Sequence, residues 1–437
     1  MKVLKKPRIV VIGAGFAGLR VIRKLAGSNA EIVLIDRYNY HTFIPLLYQV
    51  ATGFIAPEAI AIPLRKYLRS IPNARFIHAE VQEIDRASKI IKTDIIDLTY
   101  DYLVIATGSK TKFLGVEGAA EYALKMRTLE DAIQIRDRII SNFERAAICS
   151  DIEQRQQLLT IAIVGGGATG VELSGSLMEL VRGTLNRDYP AIDTSQVKII
   201  LIHSGERLLQ GYPAHLGNYT CKQLRRRGIK VHLKSRVSQV MPDALLLDEG
   251  TILESAAIIW TAGVEAKHPQ AELPTASKDK ICVSSTLQLP DHPTVYAVGD
   301  VAFVKQDGEP LAGIAPEAIQ QGTTVGSNLQ RQLKGLDPKP FDYFNKGKAA
   351  IIARNSGVAY LFGRIPLQGF AAWLLWLGIH LYYLPGIANR IIVLGSWIRD
   401  YLTRERDRRQ LIPRCRHNDF PSKSLRERRS YKTHTWS

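Results

Sequence analysis

Cysteine is scarce in this chain, with four in 437 residues, at positions 149, 221, 282 and 415. No two form a CxxC pair and none has a metal-ligand spacing, which excludes a zinc ribbon and a disulfide-stapled secreted fold. The scatter also argues against chemistry through a close redox-active cysteine pair. Long apolar runs are missing as well. The strongest, Phe370–Leu384 (FAAWLLWLGIHLYYL), covers 15 residues between Gly369 and Pro385, whereas a spanning helix needs about 20. The N-terminus runs from Met1 to Pro7 straight into an apolar strand, with no room for a signal peptide's core. The chain is therefore expected to stay in the compartment where it is made, or to have lost a transit segment. Acidic residues are in deficit, with 41 Asp and Glu against 58 Lys and Arg, a formal charge of +17. Such an excess calls for an anionic partner: nucleic acid, an anionic membrane face or phosphate-bearing cofactors. No zinc-finger or RNA-binding signature supports nucleic acid. Much of the surplus lies between Arg399 and Ser437, where 12 Lys and Arg face 5 Asp and Glu.

Glycine, by contrast, is placed with purpose. Gly13-Ala14-Gly15-Phe16-Ala17-Gly18 follows the apolar run Arg8–Ile12, and Gly165-Gly166-Gly167-Ala168-Thr169-Gly170 follows Thr160–Val164. In each GxGxxG the first glycine permits a tight strand-to-helix turn. The second lets backbone approach a pyrophosphate at a helix N-terminus, and the third lets helix and strand pack closely. One such match is weak evidence. Two, each with a strand before and a helix after, point to two nucleotides facing one another, a flavin and a nicotinamide.

Length predicts two or three domains. Strands are expected at 8–12, 31–35, 102–106, 161–164, 198–202, 230–233, 257–260 and 294–298, with helices over 16–26 and 129–148. Asp36, 23 residues past Gly13 at a strand end, has the spacing of a group that binds a ribose hydroxyl, and Arg37 follows it. The expected fold is α/β, with two Rossmann-like dinucleotide-binding domains and a C-terminal membrane-associating region. The first domain takes residues 1–118 and 275–325, the second 119–274 as an insertion, and the C-terminal region 326–437. Phe370–Leu384, the segment Ile387–Leu402 and the basic tail fit helices lying in an anionic membrane interface.

Further segments make the pattern specific. They are His41 through Gly53 (HTFIPLLYQVATG), Tyr102 through Ser109, Gly170-Val171-Glu172-Leu173, Trp260 through Val264, Tyr296 through Asp300, Ala318 through Gly322 (AIQQG) and Trp373 through Arg390. Together they resemble the type II NADH dehydrogenases, the single-subunit, non-pumping NAD(P)H:quinone oxidoreductases, over nearly the whole chain. The resemblance implies that Gly13, Gly15 and Gly18 hold the pyrophosphate of non-covalent FAD and Asp36 its ribose. Thr107, Gly108 and Asp300 would flank the flavin. Gly165, Gly167 and Gly170, with Gly263 and His203 nearby, would bind NADH or NADPH. Glu172 would couple hydride delivery to quinone reduction, and Tyr48, Gln49, Gln320 and Gln321 would lie near the flavin ring and the quinone mouth. The implied partner is a membrane quinone and the location peripheral, on a cytoplasmic or equivalent organelle face. A homodimer is left open, and no metal is required.

Two positions depart from the family pattern. His203 stands where an acid would accept from the NADH 2′-hydroxyl; its absence removes a charge that repels a 2′-phosphate, so use of NADPH is expected. Pro316 stands where a glutamine is usual, which puts the quinone's identity in question. The alternatives are a flavin-based redox sensor and a related flavoprotein reductase with a protein or sulfide-type partner.

Overall fold

The computed structural model describes residues 6–411, apart from 272, 277, 278 and 407. The expectations placed on the remainder of the basic tail, and Cys415, lie outside the described residues.

The chain begins with β1 (Arg8–Ile12), α1 (Phe16–Lys24), β2 (Glu31–Asp36) and the short α2 (Leu47–Ala51), followed by β3 (Ala74–His78), β4 (Tyr102–Ile105) and α3 (Leu129–Ile148). Then come β5 (Thr160–Val164), α4 (Ala168–Leu180), β6 (Lys198–His203), α5 (Ala214–Arg226), β7 (Lys230–Leu233) and β8 (Ala257–Trp260). The last part comprises β9 (His292–Ala297), α6 (Ala315–Gln332), an antiparallel sheet of β10 (Gly347–Ala353), β11 (Ser356–Leu361) and β12 (Ile365–Gly369), and the helices α7 (Phe370–Tyr383) and α8 (Ile387–Thr403).

Two sheets of the same design organise the molecule. The first runs β9, β4, β1, β2, β3, all parallel, with Gln288–Leu289 added antiparallel at one edge. The second runs β8, β5, β6, β7, with the short strand Leu124–Lys125 parallel at its edge. β9 returns the chain to the first sheet after the second is complete. The innermost strands are apolar runs because parallel strands are covered on both faces. Ile9, Val10 and Val11 in β1 and Ile161, Ala162 and Ile163 in β5 are all almost fully buried, each large side chain contributing roughly 1.5–3 kcal/mol.

α3 starts at Thr128, whose hydroxyl accepts the Asp131 N–H while the Asp131 carboxylate accepts the Thr128 N–H, a reciprocal cap. The expected boundary at residue 325 falls within α6, which runs to Gln332. Gly322 and Gly326 let α6 lie directly on α1, since a Cβ on either would meet α1 within 2.6 Å.

Candidate active site

The two fingerprints fold into matching cradles. A Cβ on Gly13 would sit 2.3 Å from the Ala106 carbonyl oxygen, and one on Gly18 1.9 Å from that of Gly13; on Gly15 it would meet nothing within 4 Å. In the second cradle a Cβ on Gly165 would strike Thr261 Oγ1 at 2.6 Å and one on Gly170 the Gly165 carbonyl at 1.9 Å, while Gly167 again faces open space. Gly13 and Gly165 also hold positive φ, +101° and +123°, which disfavours any side chain. Two glycines per cradle are thus required by packing and one leaves exposed backbone at a helix N-terminus. That donor set fits a pyrophosphate.

At the end of β2, Asp36 accepts the Ala14 N–H at 2.6 Å and the Tyr38 N–H at 2.8 Å. Burial raises its pKa, and these two donors together with Arg37 and Lys267 oppose the rise. Asp36 lines a cavity of about 400 Å³ with Gly13, Arg37, Thr107, Lys267 and Gln270. A carboxylate with spare lone pairs in that cavity fits a ribose diol.

His203 occupies the equivalent place at the end of β6. Its Nδ1 accepts the Gly166 N–H at 3.3 Å, as Asp36 accepts from Ala14. A Cβ at 166 would lie 2.7 Å from the imidazole, so Gly166 makes room for the ring. Burial lowers the His203 pKa, against the Arg207 backbone, and so favours the neutral ring. With Nδ1 accepting, Nε2 carries the proton, and it is buried without a hydrogen-bond partner among the described residues. The two strand ends thus differ in chemistry: a carboxylate at Asp36 and an imidazole at His203.

Asp300 follows β9 and is held by residues far away in sequence: Ser109 Oγ donates to it at 2.7 Å and Arg127 Nη2 at 2.6 Å. Gln321 lies beside it, its Oε1 accepting the Gly299 N–H at 2.6 Å. Gln320 points elsewhere, its amide donating to the Phe344 carbonyl at 2.9 Å and accepting the Phe344 N–H at 3.0 Å. Thr107 donates from Oγ1 to the Lys267 carbonyl, Gly108 is open, and Gly263 adjoins Lys112 and Leu114. Pro316 lies in the first turn of α6, where Glu317 accepts the N–H groups of Ala312, Gly313 and Ile314.

Tyr48, Gln49 and Glu172 come together under the C-terminal helices. Thr52 Oγ1 and Ser176 Oγ, 2.8 Å apart, tie α2 to α4. Gln49 donates to the Tyr48 hydroxyl at 3.0 Å and accepts the Trp397 indole N–H at 2.8 Å. Glu172 Oε1 accepts the Trp376 indole N–H at 3.0 Å and the Ile351 N–H at 3.3 Å. Gly175 permits the latter approach, since a Cβ there would overlap the Ile352 carbonyl at 1.7 Å. Burial pushes the Glu172 carboxyl up to about 8, against these two donors. It is therefore largely protonated at neutral pH, and Oε2 makes no hydrogen bond among the described residues. Burial also lifts the Tyr48 phenol far above its usual range.

Sequence reasoning missed Trp376, Trp397, Ser109, Arg127 and Arg406. It also assigned the whole basic tail to the membrane, and the described part corrects this. Arg406 is 2% exposed and donates to Asp400 at 3.2 Å, Glu179 at 3.0 Å and the Ser176 carbonyl at 2.7 Å, with its guanidinium 4.7 Å from the centre of the Phe54 ring. Arg409 pairs with Asp188 at 2.7 Å. A buried guanidinium needs such partners, and the tail's composition gave no sign of them.

The sequence profile of the pyridine nucleotide-disulphide oxidoreductases matches residues 7–322. A type II NADH:quinone oxidoreductase of Mycobacterium tuberculosis is 36% identical over 92% of this chain and 89% of its own. A second from that organism is 35% identical over 91% and 88%. Among solved structures, NDH2 of Plasmodium falciparum in complex with NADH has a TM-score of 0.85 at 20% identity, covering 94% of this chain and 100% of that one. The sulfide:quinone oxidoreductase of Aquifex aeolicus reaches 0.70 at 19%, covering 91% and 96%. At these identities the structures speak for the fold alone, which is the expected α/β arrangement of Rossmann-like sheets. The identities to the mycobacterial proteins go further: this chain is an oxidoreductase belonging to the type II NADH:quinone oxidoreductases.

Proposed function

We propose that this chain oxidises NADH or NADPH through non-covalently bound FAD and passes two electrons to a membrane quinone without pumping protons. The observation that carries the reading is the pair of glycine cradles in one chain, next to a buried Tyr48–Gln49–Glu172 cluster roofed by apolar helices. Bound FAD supplies the two-electron relay between nicotinamide and quinone. The protein's part is positional: the Gly13–Gly18 backbone and Asp36 hold one dinucleotide, Gly165–Gly170 and His203 the other. Glu172, neutral below about pH 8, holds a proton beside the apolar helices, where quinone reduction consumes protons. The purified chain should release about one FAD per polypeptide on denaturation; FMN, or no flavin, contradicts the assignment.

His203 supports use of NADPH. The strand end carries an imidazole in place of a carboxylate that would repel a 2′-phosphate, and Glu206, three residues on, is paired with Lys234 at 2.9 Å. Arg207, just beyond β6, lines a hollow of about 540 Å³ with Lys222, Arg225 and Arg226 and no acidic side chain. Leu233, the register partner of His203, lines it too. NADPH is expected to match or exceed NADH in kcat/KM, and His203→Glu to cut NADPH use about tenfold or more while sparing NADH. A large NADH preference in the unaltered enzyme contradicts this.

No helix among the described residues is long and apolar enough to cross a membrane. α8 instead presents Ile387, Ile391, Leu394, Ile398 and Leu402 as an exposed stripe at helical spacing, and α7 presents Phe370, Leu374 and Tyr382. On the opposite face of α8, Val393, Trp397 and Asp400 are buried. We assign the stripes to the surface of an anionic bilayer, from which a quinone reaches the site. Ile391→Asp with Ile398→Asp should lower liposome binding at least tenfold and leave flavin content unchanged. Undiminished co-sedimentation rules the assignment out.

A further inference from the structure

α7 does more than face the bilayer. Trp376 lies on it fully buried, and its indole N–H meets Glu172 Oε1 at 3.0 Å. The ring is fixed from both sides. His380 stacks on it at 3.7 Å between centroids, and Tyr48 and Trp397 approach at 6.2 and 6.0 Å. His380 Nδ1 lies 2.8 Å from the Trp376 carbonyl, which locks that turn of the helix. α8 repeats the arrangement, with Trp397 donating to Gln49. Each C-terminal helix therefore sends one indole N–H inward to a buried polar side chain while its other face is exposed and apolar.

We infer that Trp376 is a positioning residue for the reaction: its indole N–H fixes the Glu172 carboxyl and favours its charged form, so the helix that meets the bilayer also sets the proton affinity of the site. The inference rests on the reading of Glu172 given above. The titratable groups coupled to Glu172 are Tyr48 on α2 and Tyr212 before α5; behind them Lys348 on β10 has its Nζ 5.6 Å from the centre of the Tyr212 ring, and His380 on α7 stacks on Trp376. Arg406 faces the same helix but is taken up by Glu179 and Asp400.

The test uses the full-length holoenzyme carrying Trp376→Phe, which keeps a ring and removes the donor. Trp373→Phe is the control: Trp373 lies on the same helix but packs on Phe370 and Tyr401. The readout is the ionisation midpoint of Glu172, followed by infrared titration of its carboxylic C=O band, which is identified by its loss in Glu172→Gln. Losing a donor to the charged form raises a carboxyl's pKa, so the midpoint should rise by about one pH unit in Trp376→Phe and stay put in Trp373→Phe. The alkaline limb of the quinone-reduction profile should move with it. An unmoved midpoint, or equal shifts in both variants, overturns the inference. If Glu172→Gln leaves quinone reduction intact, the functional reading of Glu172 fails instead.

Discussion

Glu172→Gln is expected to slow quinone-dependent turnover about 100-fold, in the range of a lost general acid, while NADH still reduces the bound flavin at close to the unaltered rate. Burial has raised the Glu172 pKa to about 8, so the residue carries its proton at neutral pH and can give it up. Glutamine keeps the shape and can accept the Trp376 and Ile351 N–H groups, but it cannot cycle a proton. The same shift fixes the pH dependence. Proton donation should fall as pH rises through about 8. The protein's stability carries the opposite signature from a salt-bridged acid. Between the unfolded value near 4.5 and about 8 the folded state holds the extra proton, so Glu172 lowers stability progressively as pH rises through that window. Anaerobic stopped-flow separates the half-reactions: slow flavin reduction by NADH with normal reoxidation would contradict the assignment.

Arg406→Met is expected to destabilise the fold by about 3 kcal/mol, the lower end of the cost of breaking a buried ion pair from one side. Asp400 keeps Arg354 at 2.9 Å and Glu179 keeps the Arg354 N–H at 2.5 Å, so the carboxylates are not wholly abandoned. What is lost is the tie between the end of α8, the Ser176 turn of α4 and the Thr52 carbonyl at the end of α2. A lower denaturant midpoint with earlier proteolysis of the C-terminal helices is the expected result. An unchanged midpoint would mean that Arg406 contributes nothing net. The geometry also shows why truncation at residue 370 is a poor membrane test: it removes Trp376, Trp397 and Arg406 from the interior along with the apolar stripes.

The sequence made the two nucleotide units legible because their constraints are local. An apolar run, three glycines and a helix lie within about 20 residues, and β1, β2, β5 and β6 follow directly. α3 is expected over 129–148, the range it takes in the structure. Asp36 and His203 could be found because a strand end fixes where a side chain faces. The rest depended on long-range packing. Asp300 is held by residues 173 and 191 positions away, which no local pattern records. Trp376 and Trp397 sit in runs so uniformly apolar that the face turned inward cannot be told from the face turned out. Arg406 is one cation among many in a tail whose composition suggests solvation. Gln320, read as part of the site from its place in a motif, spends its amide on the Phe344 backbone.

The most direct test of the central claim is an anaerobic cycle of the flavin's visible band. Purified, FAD-loaded enzyme in liposomes is mixed with NADH or NADPH, and quinone is added once the band has bleached. The account predicts rapid bleaching, then full recovery on quinone addition, repeated over many turnovers. Bleaching without recovery would contradict it: the nicotinamide half would stand, but the two electrons would belong to a different acceptor.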